Sequence, residues 1–215
     1  MFSIFKRHSY LWQQKDFIIS TVSGSLFLLL SIVLNYRAGT YAFQNISNGV
    51  RDLILDHLPV FDMRLIFIEG AIVMVIFTFL VTLYEPKHIP FLLKGIALLY
   101  LFRSLAIILT HLGPPLEITN LSLANSLTER FVYGADYFFS GHTALPFLIS
   151  LTFWQRKYLG YFFLAITILF AISSLLGHLH YSIDVYAALF IAHSTFIIAK
   201  TIFKKDYERI RNSEF

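Results

Sequence analysis

The sequence contains no cysteine among its 215 residues, and only 14% of the residues are charged. Without cysteine, neither a disulfide framework nor a cysteine-ligated metal site can form. A soluble domain carries about 25% charged residues, so the low charge argues against a soluble globular protein. The chain also lacks a glycine- or serine-rich linker and an internal repeat, which favours a single domain over residues 1–215.

Long hydrophobic runs replace the missing charge, because 57% of the residues are hydrophobic. A membrane-spanning helix needs about 20 mostly apolar residues. We therefore predict an all-α, polytopic membrane protein with six transmembrane helices in one bundle. The predicted spans are 17–36, 65–84, 91–112, 139–154, 158–177 and 181–203. The fourth span is short, which indicates that it begins within protein rather than in lipid.

Lysine and arginine flank these spans unevenly. They cluster before the first span, in the turns between spans two and three and between four and five, and after the last span. Positive residues stay on the cytoplasmic side, so both termini are predicted to be cytoplasmic. The loops 37–64 and 113–138 then face the periplasmic, extracellular or lumenal side. The basic C-terminal tail is typical of a cytoplasmic flank, and we expect no nucleic-acid partner. The sequence carries no signal of an oligomeric state.

Polar side chains from several predicted spans reach the same membrane depth, near the non-cytoplasmic surface. Ionisable groups inside a membrane are costly and usually functional. His180 and Asp184 lie four residues apart and therefore share one helix face. The carboxylate can then fix the tautomer of the imidazole and leave its other nitrogen free as a nucleophile or base. The converging residues are Glu69, Arg103, Ser140, His142, Thr143, His178, His180 and Asp184.

Ser140 and Gly141 suit the start of a helix, with Ser140 as the N-cap and Gly141 permitting close backbone approach. The free N–H groups at such an end attract a phosphate or another anion. Pro146 indicates either an early kink or a later helix start. The pattern predicts an anion site beside His142. The His142 side chain supplies a second imidazole near His180, which can act as an acid.

The stretches GADYFFSGHT (134–143) and HLHYSIDVYAALF (178–190) carry a resemblance to a known family. They resemble the sphingomyelin synthase-like branch of the type 2 phosphatidic acid phosphatase superfamily. Ala135 stands where that branch has Gly, and Ser182 where it has Thr. Residues 103–115 are similar to a third family stretch, more loosely. The plain phosphatase branch has arginines where this chain has Ser174 and the Thr110-His111 pair, and this difference favours the synthase-like branch.

The resemblance implies a histidine–histidine–aspartate triad. His180 would be the nucleophile that takes the phosphoryl head group, Asp184 would orient it, and His142 would protonate the leaving alkoxide. The phosphate-binding residues implied are Arg103, Asp136, Ser140, Gly141, Thr143 and Tyr181, with His178, Glu117 and Glu69 as further candidates. No cofactor and no metal is expected.

The implied function is that of a lipid phosphotransferase or phosphatase. The partner would be a membrane lipid, either a phospholipid or a lipid phosphate, and the acceptor would be ceramide, diacylglycerol or water. Two other hypotheses stay open from the residues alone. His178, His180 and Asp184 offer ligand types that suit zinc in a membrane hydrolase. Buried His, Asp and Glu could also form the proton relay of a transporter, although their common depth disfavours this.

Overall fold

The structure is a computed structural model, and it describes residues 4–115 and 137–212. These two parts of the chain are helical and contain no strand. Within these described parts, five helical segments are long and apolar enough to cross a membrane. They are Lys15–Gln44, Leu65–Tyr84, Pro86–Leu109, Lys157–Leu176 and Ser182–Ile202. The all-α prediction is thus confirmed for the described residues, and these five segments are candidate membrane spans.

The N-terminal part of the chain forms a short helix and a long one. Helix α1 covers Ile4–Trp12 and α2 covers Lys15–Gln44. At 1.5 Å per residue, the 30 residues of α2 extend about 45 Å, more than the thickness of a bilayer core. The predicted first span ended at residue 36, but nothing after it breaks a helix before Gln44. Helix α2 packs along α4 (Ile89–Leu109) over much of its length.

Helix α3 covers Gly70–Tyr84 and is preceded by one π-helical turn, Leu65–Glu69. Together they match the second predicted span. A 3₁₀ turn, Pro86–His88, then leads into α4. Pro90 lies in the first turn of α4, where a missing N–H costs no hydrogen bond. The chain therefore reverses between α3 and α4 through a tight proline-containing connection.

The second described part begins with the short helix α5, Gly141–Thr152. Helices α6 (Lys157–Leu176), α7 (Ser182–Ile202) and α8 (Lys204–Asn212) follow. The 12 residues of α5 extend only about 18 Å, so this helix is too short to cross a bilayer by itself. The six-span count and the side of the termini therefore stay predictions.

Helix α5 lies in the middle of the bundle, packed against α6 and α7 and touching α4. Two clusters of buried side chains flank it. One joins α4, α5, α7 and α8 around Phe91, Leu148 and Phe196. The other joins α3, α4, α5 and α6 around Phe153 and Phe163. This central placement brings the start of α5 beside the start of α7 and the end of α4.

A polar cluster at the opposite end of the bundle ties α8 to α2 and α4. The Lys94 ammonium donates to Asp206 Oδ2 and to Ser20 Oγ, at 2.7 Å each. Ser20 Oγ and Arg209 Nη1 donate to the other oxygen of Asp206, at 2.6 and 2.9 Å. The side chains of Lys94 and Asp206 are only 14% and 6% exposed. Because the pair is largely buried, loss of one partner leaves the other poorly solvated.

Lys94→Ala is therefore expected to lower the free energy of unfolding by about 3 kcal/mol, because it leaves Asp206 without its buried cation. The loss is not larger because Arg209 still donates to Asp206. Denaturant unfolding in detergent micelles measures this change. Lys204→Ala is the matched control, because Lys204 pairs with Glu208 at 3.7 Å while both side chains are exposed; its expected cost is below about 1 kcal/mol. Equal stability of the two variants would contradict a structural role for the Lys94 cluster.

Candidate active site

His180 and Asp184 form a buried polar pair at the start of α7. The imidazole Nδ1 lies 3.2 Å from Asp184 Oδ2, as predicted, but His180 precedes the helix, which begins at Ser182, so the two residues do not share a helix face. The same oxygen accepts the backbone N–H of Tyr181 at 3.1 Å, which caps the start of α7. His180 is 4% exposed and Asp184 is fully buried. A carboxylate fixed at Nδ1 leaves Nε2 as the ring nitrogen that can face a substrate.

The start of α5 is joined directly to this pair. The backbone N–H of Ser140 donates to the carbonyl oxygen of Asp184 at 3.1 Å. Ser140 takes the N-cap position predicted for it, but its side chain makes no capping bond. The hydroxyl oxygens of Ser140 and Thr143 are buried, and neither has a hydrogen-bond partner among the described residues. Helix α5 begins at Gly141 and continues through Pro146, so the later start that Pro146 could have indicated is excluded.

Arg103 of α4 lies against the first residue of α5. A Cβ placed on Gly141 would lie 3.2 Å from Arg103 Nε and 3.6 Å from Cζ. Arg103 Nη1 also donates to the side-chain oxygen of Asn35 on α2, at 3.4 Å. The guanidinium is largely buried. A cation, a helix N-terminus and two buried hydroxyl groups thus occupy one corner of the bundle, which is a composition suited to an anion.

Phe67 brings the two imidazoles into one neighbourhood. Its ring stacks on His142 with centroids 3.6 Å apart and lies 6.2 Å from the ring of His180. The two imidazole centroids are therefore separated by at most about 10 Å, the limit set by these two distances. Phe67 lies in the π-helical turn before α3, and such turns are frequent at functional sites. Phe170 closes the other side of His142, at 5.8 Å edge to face.

A loop, residues 47–61, packs against the turn that carries His180; we call it the cap segment. Asp52 Oδ2 accepts both the backbone N–H and the hydroxyl of Ser182, at 2.8 Å each. The Tyr181 hydroxyl accepts from Val50 N at 3.1 Å and donates to the Gly113 carbonyl at 2.9 Å. Phe61 N donates to the carbonyl of Leu176 at 2.8 Å. The cap segment is thus attached on both sides of His180.

The polar residues at the starts of α5 and α7 lie within one stretch of the sequence that matches a known family. Residues 134–201 match the family model described as PAP2 superfamily C-terminal. The matched region is about a third of the chain and contains His142, His180 and Asp184. The match supports the type 2 phosphatidic acid phosphatase (PAP2) superfamily and suggests a phosphatase or phosphotransferase of lipid-like phosphate esters. No curated protein and no solved structure matches the chain.

Three residues predicted from the PAP2 resemblance have surroundings that differ from the expectation. Tyr181 donates its only hydroxyl proton to Gly113, so it has none left for a phosphate oxygen. Glu69 is exposed on the bundle surface, whereas Phe67, two residues earlier, faces the imidazoles. His178 adopts a left-handed backbone with φ of 49°, and its Nε2 lies 3.2 Å from the Leu58 carbonyl. Asp136 and Glu117 lie outside the described residues.

The zinc hypothesis finds no ligand set in residues 4–115 and 137–212. No three His, Asp or Glu side chains there converge in an arrangement that could hold a metal ion. His178 is directed to the cap segment through Leu58, while His180 is bonded to Asp184. The pattern of His178, His180 and Asp184 is therefore better explained by two separate hydrogen bonds than by a shared metal.

Asp52 and Phe67 belong to this site, yet the sequence carried little sign of either. Asp52 is one acid in a loop without a motif, and Phe67 is one of 23 phenylalanines. The match to the PAP2 superfamily begins at residue 134 and covers neither. Among the residues predicted for the site, Glu69 lies closest to Phe67 in the sequence, two positions later.

Asp52 also makes the cap segment sensitive to acid. Burial raises the pKa of Asp52, but hydrogen bonds from Ser182, Leu55 and Ile54 outweigh it, so the pKa lies below its ordinary value of 3.8. Since the folded pKa is depressed, the stabilisation is present above pH 3.8 and is lost as the pH falls through the folded pKa. The difference in unfolding temperature between wild type and Asp52→Asn should be constant above about pH 5 and shrink as the pH falls below 3.8. A difference that does not shrink below pH 3.8 would show that the charge of Asp52 does not hold the loop.

Proposed function

We propose that this protein is a membrane lipid phosphotransferase or phosphatase that works through a phosphohistidine on His180. It cleaves a phosphate ester of a lipid and passes the phosphoryl head group to a lipid hydroxyl, as in the sphingomyelin synthase-like branch, or to water. The observation that carries this proposal is the buried His180–Asp184 bond beside a second imidazole on the same phenylalanine ring. The PAP2 match over this region supports it.

In the first step, His180 Nε2 attacks the phosphorus atom of the lipid phosphate ester. A P–N bond forms while the P–O bond to the lipid alkoxide breaks. Asp184, bonded at Nδ1, stabilises the positive charge that develops on the ring. His142, protonated at the outset, gives its proton to the leaving alkoxide. The products of this half-reaction are a phosphohistidine, a lipid alcohol and a neutral His142.

The negative charge of the transferring group needs fixed donors, because phosphoryl transfer depends chiefly on positioning and charge stabilisation. The N-terminus of α5 and the Ser140 and Thr143 hydroxyls are candidates, since buried hydroxyl groups without partners suit a bound ligand. Arg103, close against Gly141, supplies the cation. Gly141 contributes by having no side chain between the guanidinium and the helix start.

In the second step, an acceptor hydroxyl attacks the phosphorus atom, the P–N bond breaks, and the acceptor proton goes to His142. Ser174, at the position of a phosphatase-branch arginine, is fully buried near the end of α6. The absence of that arginine, and of one at Thr110-His111, favours the synthase-like branch over a plain phosphatase. The large apolar surface of the bundle suits a lipid acceptor such as ceramide or diacylglycerol. From the charge pattern, the site faces the periplasmic, extracellular or lumenal side.

The test is an incubation of the purified protein in vesicles that contain phosphatidylcholine, phosphatidylethanolamine, phosphatidylglycerol, phosphatidic acid, diacylglycerol and ceramide. Mass spectrometry follows free phosphate, free head groups and new phospholipid in parallel. The proposal expects at least one of these products from wild type and none from His180→Ala. A new head-grouped lipid indicates the transferase, whereas phosphate or free head group alone indicates the phosphatase. Product formation by His180→Ala at the wild-type rate would reject the phosphohistidine route.

A further inference from the structure

The cap segment, residues 47–61, is held at several points around His180 rather than at one. Besides Asp52 and Tyr181, the backbone of Ser47 donates to the His111 carbonyl at 2.8 Å, and Gly113 N donates to Asn48 O at 3.3 Å. On the far side of His180, the His178 ring meets the Leu58 carbonyl at 3.2 Å. The cap segment therefore bridges two parts of the chain, residues 111–114 and residues 176–182.

The contact between the cap segment and residues 111–114 leaves no free volume. A Cβ on Gly49 would overlap the carbonyl oxygen of Pro114, and a Cβ on Gly113 would overlap the carbonyl oxygen of Ser47. Both obstacles are backbone atoms, which cannot move aside as a flexible side chain can. Glycine at these two positions therefore permits a backbone-to-backbone seal over the site.

This seal limits the access of water to a phosphohistidine on His180. His180 is 4% exposed and Asp184 is fully buried, so the imidazole has little contact with bulk water in this conformation. A lipid differs from water in its route, because the sides of the bundle present exposed Leu, Ile and Phe side chains to the membrane. A closed outer face with an apolar flank favours an acceptor that arrives from the bilayer.

We propose that Asp52 is a specificity-determining residue, which holds the cap segment closed and so directs the phosphoryl group to a lipid hydroxyl instead of water. This inference rests on the proposed function, since it concerns the fate of the phosphohistidine on His180. In transfer, the lipid hydroxyl oxygen bonds to phosphorus, the P–N bond breaks and the hydroxyl proton passes to His142. In hydrolysis, water takes the same part, and its oxygen appears in the released phosphate compound.

Asp52 is the decisive attachment because its carboxylate accepts hydrogen bonds both from α7 and from the cap segment itself. Oδ2 accepts two hydrogen bonds from Ser182, the first residue of α7. Oδ1 accepts from Ile54 N and Leu55 N, at 2.9 and 3.2 Å, within the cap segment itself. Removing the carboxylate breaks the internal turn of the cap segment together with its bond to α7. Asp56, in the same segment, instead pairs with the exposed side chain of Arg51 at 2.9 Å.

The experiment measures the partition between transfer and hydrolysis in water enriched in ¹⁸O. Full-length protein is placed in vesicles of phosphatidylcholine, phosphatidylethanolamine and phosphatidic acid with diacylglycerol and ceramide. Transfer yields new phospholipid without ¹⁸O, and hydrolysis yields phosphate or head group that carries one ¹⁸O. Asp52→Ala should raise the hydrolysis-to-transfer ratio by about fivefold to tenfold, the effect of losing the hydrogen bonds of one carboxylate. Gly49→Ala, which displaces the cap segment from the Pro114 carbonyl and leaves the Asp52 carboxylate in place, should do the same, and Asp56→Ala should leave the ratio unchanged.

Other outcomes overturn the inference. A parallel fall of both products in Asp52→Ala would mean that Asp52 only supports the geometry of His180. An unchanged ratio in both Asp52→Ala and Gly49→Ala would mean that the cap segment does not exclude water. Wild-type protein that only hydrolyses would also reject it, while leaving the phosphatase form of the proposed function intact. Where Asp52→Ala does not accumulate in the membrane, Gly49→Ala and Ser182→Ala decide. Turnover by His180→Ala in the same assay would instead reject the proposed function.

Discussion

His180→Ala should abolish turnover, with kcat reduced by a factor on the order of 10⁴ or more. The expected loss is this large because alanine removes the atom that bonds to phosphorus. No other described side chain combines burial at this site with an orienting carboxylate. Head-group release and transfer in mixed-lipid vesicles measure the effect.

His193→Ala is the matched control for this prediction, since His193 lies on α7, the helix that follows His180, but is exposed. Its turnover should equal that of wild type. If His180→Ala kept within tenfold of wild-type turnover in properly folded protein, His180 would not be the nucleophile. Circular dichroism and the unfolding temperature establish that the variant is folded, which separates loss of chemistry from loss of structure.

His142→Ala should reduce turnover of a natural lipid phosphate ester by a factor of about 10² to 10⁴, the usual contribution of a general acid. The alkoxide of a lipid alcohol is a poor leaving group and needs the proton of His142. A nitrophenyl phosphate ester leaves without protonation, so His142→Ala should cleave this probe nearly as fast as wild type. The comparison of the two substrates is the measurement.

The ratio of the two rates separates chemistry from packing. His142 also stacks on Phe67 and Phe170, so its removal could disturb the pocket without any role in proton transfer. A purely structural defect would slow both substrates equally. Equal losses for the lipid ester and the nitrophenyl ester would therefore contradict the assignment of His142 as the acid.

The contact between His180 and Asp184 was predicted from their spacing on one helix, but it forms for a different reason. His180 precedes α7, which begins at Ser182, and Asp184 reaches back from the first turn to the Tyr181 backbone N–H and to His180 Nδ1, as the acid of a capping box does. The N-cap position of Ser140 was likewise readable from the serine–glycine pair at the start of an apolar run. The shared location of the α5 and α7 starts was predictable from hydropathy, because each motif stands at the same end of a predicted span.

The longer-range features were not predictable from the chain. The length of α2 exceeds the hydropathy run since polar residues after Tyr36 still form helix. Asp52 contacts Ser182, 130 positions along the chain, and no local pattern encodes such a pair. The hydrogen bond of the Tyr181 hydroxyl also depends on a distant partner, the Gly113 carbonyl. These hydrogen bonds join residues that are far apart in the chain, and local sequence patterns do not predict such tertiary contacts.

The proposed function requires a covalent bond between phosphorus and one nitrogen atom of His180, and this bond can be trapped. Wild-type protein is stopped with alkali during turnover of a ³²P-labelled phospholipid, digested and mapped by mass spectrometry. We predict an acid-labile, alkali-stable phosphoryl adduct on the peptide that contains His180, and none in Asp184→Asn or His180→Ala. An adduct on another residue, or active protein that never carries one, would contradict the account.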